Sequence, residues 1–168
     1  LMPFIKANME SVVIISCGSS LETLLDAGIR PDFWVMMERA DLVLKLTLET
    51  ARKHDLTDIL FIGSTTVFPG LSDLFRDPIF FFRPGLSAAP LFAPSDDQIL
   101  TMPDPLSANA GLAVSMHIGF RTIYLLGVDV GSRRQDSAHT PGGWYNRLHE
   151  PYGDFGIRVR GNFGGDVW

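Results

Sequence analysis

Cysteine is almost missing from this chain. Cys17 is the single one in 168 residues, so no intrachain disulfide framework can form, and a reducing, cytoplasmic compartment fits. Basic runs are missing as well. With 14 Lys and Arg against 19 Asp and Glu the net charge is −5, which argues against a nucleic-acid or anionic-membrane surface but leaves room for a local cationic pocket. No apolar run is long enough to span a bilayer, and no segment reads as a signal peptide. The glycine-rich phosphate signatures are absent too. Cys17-Gly18-Ser19-Ser20 lacks the Walker spacing and its lysine, and it is not G-x-G-x-x-G. No set of His, Cys and carboxylates has metal-ligand spacing, although Asp129 with Glu38 could hold a hard ion such as Mg²⁺.

What is present is a strand–helix alternation. Apolar residues make up 46% and charged residues 20%, the balance of one ordered globular domain of this length. Leu1 to Ser11 reads as the tail of a helix. Val12 to Ser16 reads as a buried β-branched strand, and CGSS as the turn after it. Leu21, Leu24 and Leu25 form the inner face of a helix closed by Gly28. Phe33 to Met37 is the second strand, ending in Glu38-Arg39. Asp41 then caps a helix running to about His54. Ile59 to Ile62 is the third strand, closed by Gly63-Ser64-Thr65-Thr66. Pro69 to Phe75 is a short helix, and Ile79 to Phe82 the fourth strand. Residues 83–104 form a proline-rich loop fit to carry a wall of a site. Such alternation predicts an α/β fold, an open and mostly parallel sheet with helices on both faces.

The stretch from Pro105 to Gly131 organises the rest. Ala110, Ala113, Val114, His117 and Ile118 recur at helical spacing, Ser107 and Asn109 stand where an N-cap belongs, and Gly119 suits a left-handed C-cap. The helix start offers N–H groups to an anion. Thr122 to Leu126 is apolar without alternation, the pattern of a central parallel strand buried on both faces, and Asp129 falls just past its end. Half of the 16 glycines lie from Gly131 onward, which disfavours regular helix there and suits a lid or a docking segment.

Parallel strands share a direction, so four strand ends should deliver polar groups to one edge: Gly18-Ser19-Ser20, Glu38-Arg39, Gly63-Ser64-Thr65, and Gly127 to Asp129. Each group has a plainer reading. Gly18 to Ser20 is either a site of close backbone approach or an ordinary turn. Glu38 either takes sugar hydroxyls or is a surface carboxylate paired with Arg39 or the next helix. Asp129 either serves a site or caps the next turn. His139, in a polar loop, is a candidate general acid or base, since an ordinary imidazole titrates near neutral pH; an exposed loop histidine is the alternative. His149 is a second candidate, His117 reads as a core residue, and His54 sits favourably near a helix C-terminus. Trp144 and Tyr145 either stack on a base or sugar or pack the tail.

The run VVIISCGSSLETLLDAGIRPDFWVMMERAD, then SANAGLAVSMHIGFRTIYLLGVDVG, the His139 loop and GNFGGDVW resemble the motility accessory factor (Maf) flagellin glycosyltransferases. The second of these stretches is also similar to bacterial sialyltransferases and to archaeal 6-hydroxymethylpterin pyrophosphokinases. The resemblance implies one Rossmann-like nucleotide-sugar-binding domain over residues 1–168. It implies transfer of a nonulosonic, sialic-acid-like sugar from a CMP-activated donor to flagellin Ser or Thr. That family's G-x-G-P-S-L motif should precede Leu1, so a piece lacking the first strand and its glycine-rich loop is expected. By resemblance Gly18, Ser19, Glu38, Ser64, Thr65, Ser107, Asn109, Gly127 and Tyr145 belong to the donor pocket, with Asp129 and His139 catalytic. Two other readings share the pattern: a nucleotide-dependent diphosphotransferase using ATP and Mg²⁺, and a non-catalytic flagellin-docking domain.

Overall fold

The computed structural model describes residues 2–86, 88–128, 143–144, 157–161 and 165–167. The chain divides into two compact units, Leu1–Ile123 and Tyr124–Trp168. The first carries the sheet. Its strands are β1 (Ile15–Cys17), β2 (Phe33–Met36), β3 (Leu60–Ser64) and β4 (Ile79–Phe81), parallel and in the order β1-β2-β3-β4. Its helices are α1 (Met2–Asn8), α2 (Ser20–Asp26), α3 (Asp41–Lys53), α4 (Ala88–Phe92) and α5 (Ser107–Ile118). In the second unit β5 (Val159–Arg160) and β6 (Asp166–Val167) pair antiparallel.

Period-two alternation sorts the strand side chains onto two faces. Cys17, Val35, Ile62 and Ile79 are in register, and Val35, Ile62 and Phe81 pack with Ala110 and Val114 of α5 and with Leu100. Trp34 and Phe61, also in register, point the other way. Their rings meet Phe75 at 5.3 and 5.1 Å between centroids. Helices α2 and α3 bury Leu21, Leu25, Val43 and Leu46, none of them part of the α5-side cluster. They are joined by Lys53 Nζ donating to Glu22 Oε1 at 2.7 Å and by His54 Nε2 to Asp26 Oδ1 at 2.8 Å. Helices therefore flank both faces, as the alternation predicts.

Helix α5 lies directly on β1. A Cβ on Gly111 would fall 2.3 Å from Cys17 Sγ, so only glycine lets the helix backbone come this close. The helix ends at Gly119 with φ 107°, the left-handed cap expected of it.

Several expectations change. Thr122 to Leu126 forms no strand: Tyr124 is 79% exposed and Leu125 56%. A buried parallel strand exists only where neighbouring strands and covering helices enclose it, and the described sheet consists of β1 to β4. The first strand sits later than its β-branched run suggests, leaving Val12 and Val13 half exposed. Leu106, not Ser107 or Asn109, is the N-cap of α5, and Ala40, not Asp41, that of α3; Asp41 instead pairs with Lys45 one turn on, at 2.8 Å. Residues 69–75 yield a single 3₁₀ turn, Ser72–Leu74, and the 83–104 loop contains α4 and a 3₁₀ turn at Asp96–Gln98. His117 is exposed rather than core. Twelve helical residues rise about 18 Å, while the three of β1 span about 10 Å, so the end of α5 outruns the strand beneath it.

Candidate functional site

All four strands point one way, so Cys17, Met36, Ser64 and Phe81 end at one edge of the sheet. Helix α5 starts at that edge and runs back down, because Ser107 meets Gly18 beyond the end of β1 while Gly111 meets Cys17 and Ile15. A Cβ on Gly18 would stand 3.4 Å from Ser107 Cβ. Two residue groups far apart in the chain are thus brought together, and this is the edge where open α/β sheets take ligands.

The turn after β1 is rigid. Gly18 has φ 57°, donates its N–H to Val35 O at 2.9 Å, and accepts the Trp34 indole N–H at 2.8 Å. Ser20 Oγ accepts from Cys17 N at 3.1 Å and lies 2.8 Å from Ser16 Oγ. Ser20 therefore holds the turn. Ser19 is the N-cap residue of α2, and its hydroxyl makes no capping bond. Beside it, burial pushes the Cys17 thiol up to about 11, so this cysteine is a neutral packing group rather than a nucleophile.

Next along the edge, Glu38 is exposed two residues past β2, and among the described residues it makes no ion pair with Arg39. Ser64 differs from expectation. It is fully buried, its Oγ lies 2.9 Å from Thr66 Oγ1 and accepts from Thr66 N at 3.3 Å. Its hydroxyl is committed to its own turn. Thr65 donates its N–H to Phe81 O at 3.0 Å and is exposed. At the start of α5 the apolar N-cap Leu106 supplies no capping side chain, while Asn109 Oδ1 accepts from Leu106 N at 3.2 Å. The first helical amides thus face the edge beside Gly18 without a side-chain cap.

Sequence reasoning missed Arg83. It stands two residues past β4, its Nη2 is paired with Asp104 Oδ1, and among the described residues its buried Nε has no hydrogen-bond partner. A cation directly after the apolar run IFFF was the available signal. Below the edge, on the α5 side of β3 and β4, lies an apolar groove of about 830 Å³, with Thr65, Phe81, Phe92, Leu100, Val114 and His117 among its walls.

Gly127, with φ 67°, belongs to the second unit. Trp144 is buried. Asp129, His139, Tyr145 and His149 lie outside the described residues. Among the described residues no group of three or more His, Cys, Asp or Glu is placed to hold a metal ion, and no helix is long and apolar enough to cross a membrane.

Comparison with known proteins bears on the fold and the family. No curated protein matches the chain. The structure of the MAf glycosyltransferase from Magnetospirillum magneticum AMB-1 matches with a TM-score of 0.78 and 35% identity, over 99% of this chain and 24% of that one. The chain thus spans about a quarter of that protein's length. A family model described as 6-hydroxymethylpterin diphosphokinase MptE-like matches residues 1–135. With that match covering most of its length, the chain belongs to the MptE-like family, on a fold shared with a glycosyltransferase of the Maf type.

Proposed function

We propose that this chain is the donor-binding part of a Maf-type glycosyltransferase that moves a nonulosonic acid from a CMP-activated donor to Ser or Thr of flagellin in the cytoplasm. One observation carries the reading: the Gly18 turn and the Ser107 helix start meet at the carboxyl edge of a parallel sheet, in a chain 35% identical to a MAf glycosyltransferase.

In this reading the donor lies along the edge. The unfilled amides at the start of α5 face its phosphate, an arrangement that favours an anion without a lysine. Gly18 admits the phosphate close to the backbone. Ser19, Thr65, Asn109, Gly127 and Tyr145 supply polar and stacking contacts, and Glu38 takes sugar hydroxyls. His139 removes the proton of the acceptor hydroxyl as that oxygen bonds to the anomeric carbon. The bond from that carbon to the phosphate oxygen breaks, and CMP leaves with the electron pair. Asp129 stabilises the positive charge that develops on the sugar.

The test is transfer by the protein to flagellin, followed by CMP release. His139→Ala should lower transfer by about 100-fold or more, the usual weight of a general base, and leave CMP affinity unchanged. Undiminished transfer by that variant would remove His139 from its role. The family description favours a second reading, diphosphate transfer from ATP to a pterin. AMP release from ATP and 6-hydroxymethylpterin, with no CMP release from a CMP-sugar, would establish it instead.

A further inference from the structure

Two residues past strand β4 stands Arg83, and among the described residues this side chain is short of partners. A guanidinium holds five N–H donors in a rigid plane and keeps its charge at any working pH. Among the described residues only Nη2 is paired, with one oxygen of Asp104, and Nε is buried with no partner, although the side chain as a whole stays 23% exposed. A fork shaped for two oxygens of one oxyanion is engaged with a single carboxylate oxygen.

Its position is equally telling. Phe81 packs into the α5-side cluster at the end of β4, and Arg83 stands two residues on, at the same edge. Asp104 stands three residues before Ser107, where α5 begins. Across the sheet, three strand spacings put the end of β4 about 14 Å from Gly18, the scale of a nucleotide joined to a sugar. The edge thus has an anion-favouring helix start toward one side and an under-satisfied cation toward the other.

We propose that Arg83 receives an oxyanion of the donor, and that Asp104 holds the guanidinium until that oxyanion displaces it. The proposal rests on the donor reading above and adds to it the cation and its place-holder. The oxyanion is either the phosphate or the sugar carboxylate; both fit the same fork. Asp104 is a competitor in this scheme, so its removal should help binding, whereas a strut that merely anchors the 83–104 loop should hurt binding when either partner is lost.

Calorimetric titration with CMP-N-acetylneuraminate, CMP, cytidine and pyrophosphate tests this in the unaltered protein, Arg83→Gln, Arg83→Lys and Asp104→Asn, with melting curves to confirm folding. Arg83→Gln should weaken anionic ligands at least tenfold and leave cytidine unchanged, Arg83→Lys should recover part of the loss, and Asp104→Asn should tighten binding twofold or more. A loss already seen with CMP assigns the phosphate; a loss confined to the CMP-sugar assigns the carboxylate. Binding within twofold of the unaltered protein in Arg83→Gln would overturn the proposal, as would equal weakening in Asp104→Asn. Arg83-dependent binding of pyrophosphate without binding of the CMP-sugar would keep the role of Arg83 and fail the donor reading. No binding of any of the four ligands would overturn both.

Discussion

Two turns at the same sheet edge look alike on paper and do different work. After β1 comes Gly18-Ser19-Ser20, and β3 closes on Gly63-Ser64-Thr65. In the β3 turn the hydroxyls of Ser64 and Thr66 face each other at 2.9 Å, Val67 donates its N–H to Ser64 O at 3.0 Å, and Ser64 is sealed from solvent. In the β1 turn Ser20 alone takes the closing bonds, Ser19 stays outside them, and Gly18 presents a bare Cα to the start of α5. The β3 turn consumes its own polar groups, whereas the β1 turn leaves some over beside a helix start, where the proposed donor reading places its phosphate.

Substitutions can break that contrast. The largest stability loss is expected for Gly111→Ala. The new methyl meets Cys17 Sγ and pushes α5 off β1, costing about 1–3 kcal/mol by overpacking. Cys17→Ala in the same chain should restore most of it in thermal melting, and an unrelieved loss would place the strain elsewhere. Ser64→Ala should cost about 1–2 kcal/mol, because it strips a partner from a buried turn, yet leave CMP affinity unchanged in the same titration. Gly18→Ala should cost about 1–2 kcal/mol for an alanine at φ 57° and also weaken CMP, since the methyl points at Ser107. Ser19→Ala reverses the pattern of Ser64→Ala, with stability within about 0.5 kcal/mol of the parent and weaker CMP binding. If Ser19→Ala and Ser64→Ala behave alike in both measurements, the contrast between the turns fails.

A further expectation concerns pH and is confined to alkaline conditions. The folded state holds the Cys17 proton up to about 11, above an ordinary value of 9.0. The unfolded chain releases that proton first, so this contribution to stability is present below pH 9 and is lost as pH rises toward 11. Denaturant melts of the protein and of Cys17→Ala should converge as pH climbs through that window.

The apolar runs show how far the sequence could be read. Phe33–Met36 and Thr122–Leu126 carry similar β-favouring letters. The first is a strand with partners on both sides, Ser16 to Trp34 and Trp34 to Phe61. The second remains exposed irregular chain. Propensity is a local quantity, and a buried strand is a collective one. Element types over residues 15–64 were legible because each strand there is followed by its own helix or turn signal. Helix caps were missed where apolar Leu106 and Ala40 take positions that polar neighbours suit better. The edge itself was legible in Gly18, Glu38, Thr65 and Ser107, since parallel strands end together. Arg83 was not, because its meaning depends on a buried donor and a partner 21 residues away.

From the letters alone came the α/β class, the direction shared by the strands, and the glycine at 18 that permits close approach. Periodicity and steric size are properties of each residue and its near neighbours, so they survive without coordinates. The tertiary structure alone decided which hydroxyls remain available, which apolar run enters the sheet, and which cation is left wanting a partner. Those depend on what each group meets across the fold, and no stretch of chain carries that information by itself.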